Sequence, residues 1–137
     1  MYLYVLLYLM SVVHLEDRDE YDAVLEKHKD DNVVLFFKFG ASWCGPCKRI
    51  EPHYEAFSLR LNPGNEHTND VNYLSAEFYH LDIDEESLME LMSEDLNLKL
   101  VPHFFVVRNK EVLETLQTSQ KDVLTVFIQK HLRRGHP

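Results

Sequence analysis

Cysteine is nearly absent: only Cys44 and Cys47 occur in 137 residues. A pair this sparse cannot build the disulfide framework that staples small secreted scaffolds, and a chain of this length buries a core without one. Positive charge is also scarce, 14 Lys and Arg against 23 Asp and Glu. The long-range field therefore repels phosphate backbones and excludes nucleic acid as an expected partner. No Gly-x-Gly-x-x-Gly occurs, so the chain carries no dinucleotide fingerprint of its own. No apolar run reaches the roughly 20 residues of a membrane-spanning helix. The longest, Tyr2 to Met10, continues in Val12 and Val13 after Ser11. It lacks both the preceding positive residue and the small-residue cleavage site of a signal peptide. Two readings of it stay open: an ordered strand or short helix, packed in the domain or in a homodimer contact, or a targeting remnant. Internal repeats and low-complexity tracts are missing as well.

What remains is 45% hydrophobic and 27% charged, the balance of a soluble globular protein. The expected organisation is an apolar extension over residues 1–10 and one folded domain over residues 11–137. Ser11 to Leu15 reads as a strand, and Tyr21 to His28 as an amphipathic helix. Val33 to Phe39 is the continuous apolar run of a strand covered on both faces. Cys44 to Leu61 reads as a helix with Pro46 in its first turn and a kink at Pro52. The turn formers from Asn62 to Asp70 indicate a solvent loop. Next come a strand from Ala76 to Ile83, a helix from Glu85 to Leu96 and a strand from Phe104 to Val107. A hairpin turn at Asn109-Lys110, a strand from Glu111 to Thr118 and a helix from Lys121 to Leu132 complete the order. Strands alternating with helices predict an α/β sheet with helices on both faces.

The chemistry lies in Trp43-Cys44-Gly45-Pro46-Cys47. A Cys-x-x-Cys that opens a helix after a strand sets the first sulfur over free backbone N–H groups and the positive end of the helix dipole. Cys44 is thereby expected to ionise more readily than a free thiol, and Cys47, one turn on, to resolve a mixed disulfide. Gly45 permits the tight turn, and Pro46 stiffens it while removing a donor. Half of a zinc site is the rival reading, but it needs two more ligands, and His53 with another scattered histidine has no supporting spacing. Two inert buried thiols are the other rival.

Phe39-Gly40-Ala41-Ser42-Trp43-Cys44-Gly45-Pro46-Cys47-Lys48, with Pro52, resembles the active-site segment of thioredoxins. The element order from about Ser11 to Leu132 is similar too. The resemblance implies a thioredoxin fold, a central mixed sheet of four to five strands flanked by helices, with the apolar N-terminal segment as an addition. It implies that Cys44 is the nucleophile, Cys47 the resolving cysteine and Trp43 a lid. Val101-Pro102 aligns with the family's cis-proline, whose flanking backbone aligns the substrate strand; the alternative is an ordinary trans edge-strand proline. Further implications are protein disulfides as substrates, a thioredoxin reductase-type electron donor, no bound cofactor or metal beyond the reversible Cys44-Cys47 disulfide, and a cytoplasmic location. A secretory-pathway location is the alternative if Met1 to Val13 is a targeting remnant.

The chain departs from the family pattern in several places. Thioredoxins usually carry a buried aspartate in the central strand, five residues before the tryptophan, where this chain has Lys38. A cation beneath the cysteines favours thiolate and makes a better oxidant. Partial burial is expected, with Glu51, Asp82 or Asp84 near enough to pair. His80 stands where bacterial members often have lysine, and His103 comes directly after Pro102; both are candidates for tuning the site. Asn109-Lys110 and Thr118-Ser119 replace the glycines of the substrate groove. The loop from Leu61 to Ser75 is longer by about ten residues. The expected activity is reduction of protein disulfides by dithiol exchange. Its alternatives are a secretory-pathway oxidase or isomerase and a thioredoxin-fold adaptor.

Overall fold

A computed structural model describes residues 11–60 and 73–133. The apolar run from Tyr2 to Met10, the homodimer contact expected of it, and most of the loop from Leu61 to Ser75 lie outside the described residues. Among the described residues five strands form one sheet in the order β1-β3-β2-β4-β5: β1 Val12–Leu15, β2 Val34–Gly40, β3 Ala76–Asp82, β4 His103–Arg108 and β5 Glu111–Gln117. Both β1 and β2 run parallel to β3, while β4 is antiparallel to β2 and β5 antiparallel to β4.

All seven residues of β2 are buried, as its apolar run predicts for a strand covered on both faces. Period-two alternation divides them between two cores. Val34 and Phe36 face Ile50, Tyr54 and Phe57 of α2 Gly45–Arg60 and Leu124, Phe127 and Ile128 of α4 Lys121–Leu132. Leu35, Phe37 and Phe39 face Tyr21 of α1 Arg18–Lys27 and Leu88 of α3 Glu86–Glu90. On the second face Phe37 stacks on Phe105 at 4.8 Å and on Tyr79 at 5.1 Å, one cross-strand ladder over three strands.

Several boundaries shift for identifiable reasons. The first helix starts three residues before the expected Tyr21, because Asp17 is its N-cap and accepts Glu20 N–H at 2.9 Å. The expected helix from Glu85 to Leu96 is α-helical only to Glu90 and then widens to a π-turn over Leu91–Asp95. Leu96 N–H reaches back to the Leu91 carbonyl at 3.0 Å, and Asn97 takes a left-handed φ of 54°. That exit returns Leu98 to the core. Asn109 and Lys110 both have positive φ, 51° and 68°, as a tight two-residue hairpin turn demands.

Tyr54 ties α2 to the sheet. Its buried hydroxyl lies 2.8 Å from the Tyr79 carbonyl oxygen and 3.0 Å from that of Phe36, and it accepts Tyr79 N–H at 3.3 Å. Replacing Tyr54 with Phe leaves these backbone groups without that partner in a dry core. We expect a loss of about 1–3 kcal/mol in a urea unfolding curve with unchanged m-value.

Candidate active site

The loop leaving β2 delivers Cys44 to the start of α2, and the backbone does the rest. Cys47 N–H points at Cys44 Sγ at 3.2 Å, so a helix N-terminal amide and the dipole behind it act directly on that sulfur. The two cysteines are joined by a disulfide with Cα atoms 5.3 Å apart. This pairing of the two sulfurs with each other is the oxidised state of a dithiol couple, the arrangement on which the redox reading of Cys-x-x-Cys depends.

Both cysteines are buried, together with Ala41, and partly buried Ile83 and Val101 close around them. Trp43, by contrast, is 71% exposed. Cys44 Sγ lies 3.8 Å from the Val101 carbonyl oxygen, and the Val101-Pro102 peptide is cis. The trans alternative for Pro102 is thereby overturned. Segments 57 residues apart meet here because β4 runs antiparallel beside β2 and begins at the same end of the sheet.

Asp84 has a role that sequence reasoning missed. Its expected place is near Lys38, but its carboxylate accepts Ser42 N–H at 3.0 Å. Hydrogen bonding to Ser42 above all holds it below the usual carboxylate range. Asp84 therefore pins the loop that presents Trp43 and Cys44. No local pattern announces a bond between residues 42 positions apart.

Lys38 also differs from expectation. It is 1% exposed, not partly buried, and its Nζ donates to the Cys47 carbonyl oxygen at 3.3 Å. Asp84 is engaged by Ser42, and Asp82 accepts Asp84 N–H at 2.8 Å. Among the described residues no carboxylate forms an ion pair with Lys38. Burial pushes its pKa down, opposed by the more distant fields of Glu51 and Glu55. Glu51 is thus a neighbour in the field and not a contact. The physical reason is strand alternation: position 38 shares the face of Val34 and Phe36 that α2 covers, where the ammonium finds a helix carbonyl before it finds solvent.

His80 sits against the site and His103 beside it. The His80 ring lies over Gly40, where a Cβ would come within 2.9 Å of its Cε1. His103 donates from Nδ1 to the Leu100 carbonyl at 3.2 Å, so that nitrogen is engaged away from the cysteines. Burial lowers the pKa of both imidazoles, and His80 is pushed down to about 3 because the Lys38 and His14 charges add to its desolvation. Folding therefore keeps His80 neutral while the unfolded chain protonates it near 6.5. The unfolded state binds the extra proton between those values, so stability falls as pH drops from about 6.5 towards 3. We expect the stability–pH curve in that window to lose up to one proton's slope, about 1.4 kcal/mol per pH unit, when His80 is replaced by Gln.

Comparison with known proteins agrees with the geometry. The family model for Thioredoxin matches residues 11–130. A "Thioredoxin H-type" of Oryza sativa subsp. indica is 29% identical over 121 residues, covering 88% of this chain and 87% of the relative. "Thioredoxin 1" of Plasmodium falciparum is 30% identical over 112 residues, covering 82% of this chain and 89% of the relative. Among solved structures, a Plasmodium falciparum thioredoxin superposes with a TM-score of 0.68 at 28% identity, covering 87% of this chain and 98% of that one. The thioredoxin NaTrxh of Nicotiana alata gives 0.72 at 23% identity, covering 90% and 94%, and supports the fold. With the disulfide-forming pair at the mouth of α2, these matches identify a thiol–disulfide oxidoreductase of the protein-disulfide reductase type, and the chain belongs to the thioredoxin family.

Proposed function

We propose that this chain reduces disulfides of protein substrates in the cytoplasm, with Cys44 as nucleophile and Cys47 as resolving cysteine, and that a thioredoxin reductase-type donor returns it to the dithiol. The observation that carries the assignment of roles is the Cys47 N–H aimed at Cys44 Sγ at 3.2 Å. An amide donor at a helix N-terminus stabilises negative charge on the sulfur it faces.

The Cys44 thiolate attacks one substrate sulfur. The substrate S–S bond breaks, and one substrate thiolate leaves as the mixed disulfide forms. Cys47 then attacks Cys44 Sγ, the second substrate thiolate leaves with the electron pair, and the Cys44-Cys47 disulfide closes. Two electrons pass from the dithiol to the substrate, and the released thiolates take up protons. Gly45 and Pro46 keep the turn between the sulfurs short, and Trp43 is the exposed rim a protein substrate meets. The Val101 carbonyl, 3.8 Å from Cys44 Sγ, lies where an extended substrate strand is aligned beside Pro102. No helix among the described residues is long and apolar enough to cross a membrane.

Replacing Cys44 with Ser abolishes reduction of a protein disulfide in a dithiothreitol-driven turbidity assay. Replacing Cys47 with Ser traps the substrate as a Cys44 mixed disulfide detectable by mass spectrometry. Full turnover by the first variant, or no trapped adduct in the second, reverses or removes these roles.

Lys38 is proposed to tune the pair. Its ammonium beneath Cys47 favours thiolate, hence the reduced form, and raises the reduction potential. Equilibration against glutathione is expected to give a Lys38→Met variant a potential more negative than the parent by about 30 mV, near the thioredoxin end of the scale. His103, with Nδ1 held by Leu100, is assigned the lesser influence.

A further inference from the structure

Three titratable side chains stand in one row across the sheet, on the face that α2 covers. Strand register sets Lys38 of β2 against His80 of β3, and His80 against His14 of β1. The His14 and His80 ring centroids are 4.7 Å apart. A Cβ on Gly40 would lie 2.9 Å from His80 Cε1 and 3.7 Å from both His80 Nε2 and Cys47 Cβ. The imidazole and the Cys47 side chain therefore border the same small space, left open because residue 40 is glycine. Exposure grades along the row: Lys38 is buried, His80 intermediate and His14 exposed.

Such a row answers a need of the reaction. Cys47 is 3% exposed, and its thiol must lose a proton before it attacks Cys44. Among the described residues His80 from β3 borders this space, and the charges that act on it are those of Lys38 from β2 and His14 from β1. Glu51 and Glu55 of α2 act on Lys38 only through their field.

We propose that His80 takes the proton of the Cys47 thiol in the resolving step and passes it through His14 to water, while Lys38 stays an ammonium and stabilises the thiolate left behind. The inference rests on the reading of Cys47 as resolving cysteine. The Cys47 S–H bond breaks and its proton moves to a ring nitrogen of His80. The proton on the other ring nitrogen departs through His14, so His80 ends neutral. The sulfur lone pair of Cys47 forms the bond to Cys44 Sγ, and the substrate sulfur leaves as thiolate with the electron pair of the broken bond. The mixed disulfide is the only oxidant required. Burial and the neighbouring Lys38 charge keep the His80 ring unprotonated at rest, so it is always open to receive. Burial and that charge also prevent it from storing the proton, which makes it a carrier.

Stopped-flow reaction of the fully reduced protein with 5,5′-dithiobis(2-nitrobenzoate) separates the two steps. The first thionitrobenzoate leaves at a rate proportional to reagent as Cys44 attacks, and the second leaves in a reagent-independent phase as Cys47 resolves. Replacing His80 with Ala is expected to slow the second phase at least tenfold, and added imidazole to restore it. His14→Gln is expected to slow the same phase two- to threefold. A second phase at the parent rate in His80→Ala overturns the proposal, and so does a slow phase that imidazole does not accelerate, since that marks a packing defect. If His80→Ala fails to fold by circular dichroism, His14→Gln, at an exposed position, decides: an unchanged second phase overturns the path. Absence of a second phase in the parent protein would instead overturn the resolving role of Cys47 itself.

Discussion

The structure depends on a strand that is buried along its whole length. Every residue of β2 lies between two helical layers, so its position is fixed by apolar contact on both faces and by ladders to β3 and β4. A strand held this way cannot slip by one residue without exchanging its two faces. The loop carrying Cys44 and the first turn of α2 come directly after this strand in the chain and inherit its precision. The cis Val101-Pro102 peptide is brought to the same end by β4, which pairs with β2 in register from Phe39↔His103 to Leu35↔Val107. The reactive centre is thus assembled on the rim of a rigid sheet, and none of its members needs to move far to meet the others.

Within this frame Lys38 is the costly element. An unpaired ammonium in a protein interior carries a desolvation penalty of several kcal/mol, and Lys38 recovers part of it through one bond to the Cys47 carbonyl oxygen and through the fields of Glu51 and Glu55. A carboxylate there would repel a nearby thiolate, whereas an ammonium attracts it. An ammonium at this position also has no lone pair with which to accept the proton of the Cys47 thiol. Among the described residues His80 and His14, on adjacent strands of the same face, are the groups proposed to carry the proton, and burial, helped by the charge of Lys38, keeps the nearer one neutral. On the proposed roles, one buried ammonium bears on both the redox poise and the proton route.

Much of this is legible in the sequence, because it depends on local pattern. The run from Val33 to Phe39 predicts a strand covered on both faces, and the strand is found at Val34–Gly40. Trp43-Cys44-Gly45-Pro46-Cys47 predicts a helix opening at the cysteines, and α2 begins at Gly45. The thioredoxin resemblance points to a mixed sheet and to the cis-proline, and both are present. The misses involve partners or geometry that local pattern does not encode. A carboxylate partner for Lys38 is a natural expectation because Asp82 ends the neighbouring strand and Asp84 follows it, but the turn after β3 directs Asp84 to the backbone of Ser42 instead. The apolar spacing from Glu85 onward is helical, and that spacing does not distinguish an α-turn from the π-turn closed by Leu96 and Leu91.

The row of His14, His80 and Lys38 illustrates the limit most sharply. Lys38 and His80 stand out one at a time against the family pattern, but nothing in the sequence joins them to His14, and the separations carry no period. They become neighbours only when three strands are laid side by side in a particular register. That register is itself dictated by apolar residues elsewhere on the same strands, Val12 against Phe78 and Phe36 against Phe78, whose burial sets the facing of positions two residues further on. The polar row is thus a consequence of hydrophobic packing. The same phasing that buries Phe36 and Phe78 carries Lys38 and His80 to the cysteine end of that face, and Gly40 leaves the imidazole room beside Cys47.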